Sequence, residues 1–232
     1  MELLQELHGI GPKKAKELYD MIPGGIKSDI KNINDMRYYL YHNMYNKLPT
    51  STIVDIEMLP QPIDRDTMDL FIQEMQKYTT GIRSRVCGSY RRGKSKMKDI
   101  DLVISRGNKS DIFNKWRNKM NESKIINIME PYAIGSEKVN TICQIQNHDN
   151  NDKINVRMDV FLINPSEWYT AILYATGSGN FNMMMRMVAK RKGYLLNHKG
   201  LYKNGKKINI SSERDVFDIL GMEYLKPQDR EL

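Results

Sequence analysis

An α+β fold is predicted for this 232-residue chain. Three features predict it. Helical apolar spacing recurs through the first 60 or so residues, strand-like apolar runs cluster between Arg85 and Ile163, and after Pro165 helices alternate with a small glycine-punctuated hairpin. Hydrophobic residues make up 40% of the chain, enough for a real core, and a mean hydropathy of −0.59 implies a well-solvated surface. No apolar run approaches the roughly 20 residues of a membrane helix. The opening Met-Glu-Leu-Leu-Gln-Glu-Leu lacks the basic and apolar regions of a secretory signal. Cys87 and Cys143 fall inside apolar segments and read as buried thiols of a reducing, intracellular setting.

The elements follow in order. Leu3, Leu4 and Leu7 give a first helical face, which His8-Gly9-Ile10-Gly11-Pro12 breaks. Pro12, tolerated in a first turn, opens a second helix through Leu18. Asp29 to Leu48 is predicted helical, with Met36, Tyr39, Leu40 and Met44 at helical spacing. Leu59-Pro60-Gln61-Pro62 marks a joint. Asp64 to Tyr78 is the next helix, carrying Met68, Phe71, Ile72 and Met75 on one face. Strands are expected at Arg85–Cys87, Asp99–Ser105, Ile125–Met129, Val139–Gln146 and Ile154–Ile163, with a helix near Ile112–Met120. Asn147 to Lys153 reads as a hairpin loop. Beyond Pro165, Ser166-Glu167 can cap a helix through Tyr174, and Thr176–Asn180 interrupts it. Phe181 to Lys192 is helical, Tyr194–Leu196 and Leu201–Tyr202 pair as a hairpin, and Ser212 starts a last helix that Gly221 ends. The 16 methionines scatter across elements as core fillers.

Chemistry concentrates between Gly88 and Asp101. A Gly-Ser turn is followed by Arg91-Arg92, and Asp99-Ile100-Asp101 enters an apolar strand. Side chains alternate along a strand, so Asp99 and Asp101 share a face. Two carboxylates beside an arginine pair and a small-residue turn suit a metal–triphosphate site. A two-metal site wants a third acid, and Asp159 in Val156-Arg157-Met158-Asp159-Val160-Phe161 is the candidate, on one face with Arg157 and Phe161. A salt bridge between Asp159 and Arg157 is the alternative. Helix, Gly-Ile-Gly turn, helix at the start of the chain has the pattern of a helix-hairpin-helix element. There Lys13, Lys14 and Lys16 add charge; an ordinary turn with solvated lysines is the alternative. A net charge of +8 and a pI of about 9.3 favour polyanions.

These blocks together resemble the family X DNA polymerases, of DNA polymerase beta type. The residues that carry the resemblance are Gly9-Ile10-Gly11-Pro12, Gly88-Ser89-Tyr90-Arg91-Arg92-Gly93 through Asp99-Ile100-Asp101, Arg157-Met158-Asp159, and Tyr174-Ala175-Thr176-Gly177-Ser178 with Phe181-Asn182. Gly200-Leu201-Tyr202, Asp215-Val216-Phe217, Leu220-Gly221 and Pro227 fit the same family's ending. The resemblance implies helical fingers with the helix-hairpin-helix at 1–60, a nucleotidyltransferase palm of mixed sheet and helices at 61–164, and an α/β thumb that selects the nucleotide at 165–232. It implies template-directed addition of dNTPs to a primer 3′-hydroxyl, in short-gap filling during DNA repair. A template-independent nucleotidyltransferase and a DNA-binding scaffold are the alternatives.

By the same resemblance, Asp99, Asp101 and Asp159 would hold two Mg2+ ions, with Mn2+ able to substitute. Gly88, Ser89, Arg92, Lys98 and Arg65 would contact the nucleotide phosphates. Tyr174, Ala175 and the Thr176-Gly177-Ser178 turn would lie against the sugar. Asn182 and Arg186 would reach the minor-groove side of the new pair and the template. Gly9, Ile10, Gly11, Lys13, Lys14 and Arg157 would contact DNA, with a monovalent cation at the Gly9–Gly11 hairpin. Expected partners are gapped or primer-template DNA and a dNTP, with no membrane, for a monomer in the nucleus or cytoplasm. The Asn-, Ile- and Lys-rich usage suggests a viral or low-GC source. Two departures stand out: Ala175 replaces an aromatic and Gly179 a larger residue, which predicts a wider sugar pocket and looser selection. The Asn147–Lys153 loop is shorter than the insertion of template-independent relatives. No room is expected for an amino-terminal lyase domain, so no lyase activity is expected of this sequence.

Overall fold

A computed structural model describes residues 1–107, 111–146 and 152–231, and these divide into two units, Met1–Pro60 and Gln61–Leu232. In the first unit a one-turn helix α1 (Glu2–Gln5) leads through the Gly-Ile-Gly turn to α2 (Pro12–Met21), then to a short α3 (Gly24–Lys27), α4 (Ile33–Met44) and α5 (Thr50–Met58). The helix expected over Asp29–Leu48 is shorter. Asn32 accepts from the amides of Asn34 and Asp35, and Asp35 reaches back to the Asn32 amide, a capping box that fixes the start. A 3-10 turn, Tyr45–Lys47, ends it. Leu4, Leu7, Ile10, Ala15, Leu18, Met36 and Leu40 are buried together as this unit's core.

The second unit opens with β1 (Ile63–Asp64) and α6 (Arg65–Tyr78), whose start Asp64 caps by accepting from the Thr67 amide at 2.9 Å. Then come β2 (Ser84–Val86), the single turn α7 (Gly88–Arg91), β3 (Lys96–Met97), β4 (Asp99–Ser105), α8 (Ile112–Met120), β5 (Ile126–Ile128), β6 (Ala133–Ile134), β7 (Lys138–Gln146) and β8 (Lys153–Ile163). The order β2-β4-β8-β7-β5 makes the main sheet, with β6 on β7; β4 and β8 run parallel and the other neighbours antiparallel. This is the mixed sheet of the predicted α+β fold. One face buries Ile100, Leu102, Met158, Val160 and Val139 against Phe71, Phe113 and Trp116 of the helices. The period-2 pattern therefore dictates which face is left for chemistry. The predicted Asn147–Lys153 loop lies outside the described residues except for Asp152 and Lys153.

The remainder is α9 (Trp168–Thr176), α10 (Gly179–Arg191), the antiparallel β9 (Tyr194–Asn197), β10 (Gly200–Lys203) and β11 (Lys206–Lys207), and α11 (Glu213–Ile219). Ser178 caps α10 by accepting from the Phe181 amide, and Ser212 with Asp215 forms a capping box on α11. Phe181, Met185, Leu201, Val216 and Phe217 pack as a separate core. A fourth cluster joins Cys87 and Val103 of the sheet region to Trp168, Ala171, Ile172 and Ala175 of α9. Burial pushes the Cys87 thiol up to about 12, so it is inert, as is the buried Cys143.

Candidate active site

Strand register builds the site. In the parallel pair of β4 and β8, Asp101 lies opposite Asp159 and Asp99 opposite Arg157; across β7, Asn140 lies opposite Asp159. Directly paired residues in a sheet point to the same side. Asn140, Asp159 and Asp101 therefore form one polar row across three strands, with Asp99 and Arg157 in the next. The far face of the same strands is the apolar core. Asp159 is held by two neighbours on β7: it accepts from Lys138 Nζ at 2.7 Å and from the Asn140 amide. Burial, then repulsion from Asp99 and Asp159, pushes the Asp101 carboxyl up to about 8, despite the nearby Lys138 and Arg92. Three acids crowded on one face call for positive charge. Lys138 and Asn140 were not anticipated from sequence, although their spacing of two on one strand is the signal that places them on Asp159's face.

The turn before β4 is built for close approach. Gly88 has φ +56°, and a Cβ there would lie 2.0 Å from Asp101 Oδ2, so no other residue fits. The Cys87 amide donates to the Asp101 carbonyl at 2.8 Å, which seats the turn on the strand. Arg65, first residue of α6, closes the turn from outside. Its Nη1 donates to the carbonyl of Tyr90 at 3.1 Å, and its guanidinium lies 4.3 Å from the centre of the Tyr90 ring. Tyr90 in turn donates its hydroxyl to Asp69 at 2.6 Å.

Palm and thumb models of DNA polymerase beta match residues 59–165 and 171–231. DNA polymerase lambda of Rattus norvegicus is 24% identical over the whole chain, and that of Arabidopsis thaliana is also 24% identical. The chain spans 42% and 46% of their respective lengths. The DNA polymerase/3'-5' exonuclease PolX of Bacillus subtilis is 25% identical over 68% of the chain, which corresponds to 26% of its length. Two crystal structures of Leishmania infantum polymerase beta, a ternary P/T complex and a ternary gap complex, superpose with TM-scores of 0.78 and 0.79. Each is 24% identical and matches 99% of this chain, covering 98% and 88% of the respective solved chains. The chain belongs to the family X DNA polymerases.

In this family X polymerase the remaining expected residues are placed as follows. Arg92 is mostly buried, donates to the Thr176 carbonyl at 2.5 Å and pairs with Glu231, so it ties the Gly-Ser turn to the end of α9. Gly177, with φ +69°, leaves room for that arginine: a Cβ would lie 3.2 Å from Arg92 Nη1. The Gly177–Ser178 peptide is cis. Ser89 is half-buried, and Lys98 is exposed between β3 and β4. Tyr174 sits edge-on to Phe161, and its carbonyl accepts from Asn182 Nδ2 at 2.8 Å. Tyr174, Asn182 and Arg186 line one small cavity of about 10 Å³. Ala175 is different from expectation. It is 8% exposed and packs with Cys87, Val103 and Trp168, so its side chain belongs to the core rather than to an open sugar pocket. Gly179, in contrast, is exposed with nothing within 4 Å of its Cβ position.

Three side chains that sequence reasoning left unassigned brace the site. Glu213 is paired with both Arg91 and the fully buried Arg230, and Arg91 donates to Thr176 Oγ1 at 2.7 Å. Burial alone would raise the Glu213 carboxyl, but Arg91 and Arg230 hold it below the ordinary glutamate range. In the other unit, Gly9 has φ +84°, and its missing Cβ would meet Ser51 Oγ at 2.1 Å. Gly11 caps α2, and Pro12 takes its first turn. Ile10 is 5% exposed in that unit's core, so only its backbone is available to a ligand. Lys13 is exposed, and Lys14 pairs with Glu17 at 2.8 Å.

The donor set fits a hard divalent cation. All candidate ligands are carboxylate oxygens, and Lys138 supplies the positive charge beside them in this structure. As the side chains stand, no three His, Cys, Asp or Glu groups among the described residues converge on one point, because Asp159 is turned to Lys138 and Asn140. No helix among the described residues is long and apolar enough to cross a membrane.

Proposed function

We propose that this chain is a template-directed DNA polymerase that adds deoxynucleotides to a primer 3′-hydroxyl in short gaps. The observation that carries the reading is the register of Asp101 opposite Asp159, with the Asp101 carboxyl raised by burial and by its acidic neighbours, inside a palm that matches the family model. Asp99, Asp101 and Asp159 would hold two Mg2+ ions, or Mn2+, once Asp159 exchanges Lys138 and Asn140 for metal. Bound there, the ions would lower the pKa of the attacking hydroxyl and neutralise charge on the phosphoryl group in flight.

The protein's own contribution is placement. Gly88 lets the turn amides approach the triphosphate, and Ser89 and Arg92 would receive the β- and γ-phosphates as Arg92 releases Glu231. Arg65 keeps that turn in shape through Tyr90, which suits a supporting role better than direct phosphate contact. Tyr174 and the Thr176–Ser178 turn would bear on the sugar, and Asn182 and Arg186 on the nascent pair. The Gly9–Gly11 turn and the first amides of α2 would bind a DNA phosphate without reading sequence, aided by Lys13. The likeness to Leishmania polymerase beta in a ternary P/T complex and a ternary gap complex favours gapped or primer-template DNA as the substrate.

Primer extension tests the reading. Asp101→Asn should abolish incorporation, by roughly 10³-fold or more given the share of catalysis that charge stabilisation supplies, while DNA affinity is kept. Undiminished extension by that variant would remove the assignment. Extension that ignores the template base would favour a template-independent transferase instead.

A further inference from the structure

We propose a second phosphate-binding site, at the end of β4 remote from the acids. Thr80, Arg83, Ser105, Arg106, Lys115 and Lys119 line a cavity of about 520 Å³, and no Asp or Glu is among its described lining residues. Asp99 and Ser105 are the two ends of β4, six residue steps and about 20 Å apart at the rise of a strand. The cavity is therefore separate from the candidate active site.

Its chemistry is that of an anion receptor with pre-set arginines. The Arg83 guanidinium lies 4.0 Å from the centre of the Trp168 ring, and Arg106 Nη1 donates to the Ser136 carbonyl at 3.0 Å. Both forks are thus held rather than swinging free. Lys115 and Lys119 stand one turn apart on α8, and both line the cavity. Guanidinium forks, ammonium groups and hydroxyls, with no carboxylate among the described lining residues, match a phosphate group.

Phosphate can come from the DNA backbone or from a free phosphate species, and one set of measurements separates them. The variant is Arg106→Ala/Lys119→Ala, which touches neither the acids nor the Gly-Ser turn. With duplex DNA, the slope of log affinity against log salt should fall by about 2, close to 0.9 per lost phosphate contact. Isothermal titration with inorganic phosphate in EDTA, where metal-dependent binding at the acids is suppressed, reads the free species. A reduced DNA slope assigns the site to backbone phosphate. An unchanged slope with phosphate binding present in the native chain and lost in the variant assigns it to a free phosphate. An unchanged slope with no phosphate binding to the native chain overturns the proposal. Should the double variant unfold early in a thermal scan, Lys119→Glu, on the helix surface, gives the same readouts with the opposite charge.

Discussion

At the scale of single residues, the site is governed by what stands beside Asp101. Gly88 is the sharpest case, because a methyl group there would occupy the space of the Asp101 carboxylate. Gly88→Ala should cost about 1–3 kcal/mol of stability, measured by denaturant unfolding, and should remove incorporation as well. A stable, active Gly88→Ala would contradict the close approach. Ala175 makes the opposite point. Its place in the core means that Ala175→Tyr should overpack the Cys87–Trp168 cluster and lower thermal stability. The sequence difference at this position was visible, but its meaning was not. A change from aromatic to alanine reads as a wider pocket only if the side chain faces the pocket, and burial decides that. Lys138 and Asn140 teach the same lesson, since their bond to Asp159 depends on register across a hairpin whose loop gives no register signal.

At the scale of elements, the pair β4 and β8 is the frame that sets the acids opposite each other. Its buried face should be as sensitive as its polar one. Leu102→Ala, fully buried, should cost about 2–5 kcal/mol through lost burial and a cavity. Both strands were legible because each carries a run of apolar residues, interrupted by Asp99 and Asp101 in β4 and by Arg157 and Asp159 in β8. The short pieces were not: β1 and β3 carry two residues each, too few for a period to show, and α5 is anchored by contacts such as the Thr52 hydroxyl on the His8 carbonyl. The α11 element is held to the Gly-Ser turn by Glu213. The native carboxyl releases its proton more readily than the unfolded one, so its stabilisation is complete above the ordinary glutamate pKa of 4.5 and is lost as pH falls through the lower native value. Glu213→Gln should therefore be less stable at neutral pH and show a flatter acid limb in a pH series of unfolding midpoints. An unchanged acid limb would mean that the Arg91–Glu213–Arg230 bridge does not form.

At the scale of the whole molecule, charge is unevenly divided. Residues 1–60 carry 7 Lys and Arg against 8 Asp and Glu, so the surplus of the chain's +8 belongs to residues 61–232. Long-range attraction to DNA should arise in that second part, while the Gly9–Gly11 turn contributes geometry and a local lysine cluster. If Lys13 makes the one phosphate contact proposed for it, Lys13→Ala should weaken duplex affinity only slightly and lower the salt slope by about 1. The order of the motifs along the chain made the family legible, and the sheet register explains why Asp159, far along the chain from Asp99 and Asp101, shares their face. The most direct test of the account is single-nucleotide incorporation into a one-nucleotide gap by the native chain and by Asp101→Asn, with Mg2+ present and DNA affinity measured in parallel. The expected result is insertion of the nucleotide complementary to the template base, lost in Asp101→Asn with affinity intact. Insertion without regard to the template, or equal insertion by the two proteins, would contradict it.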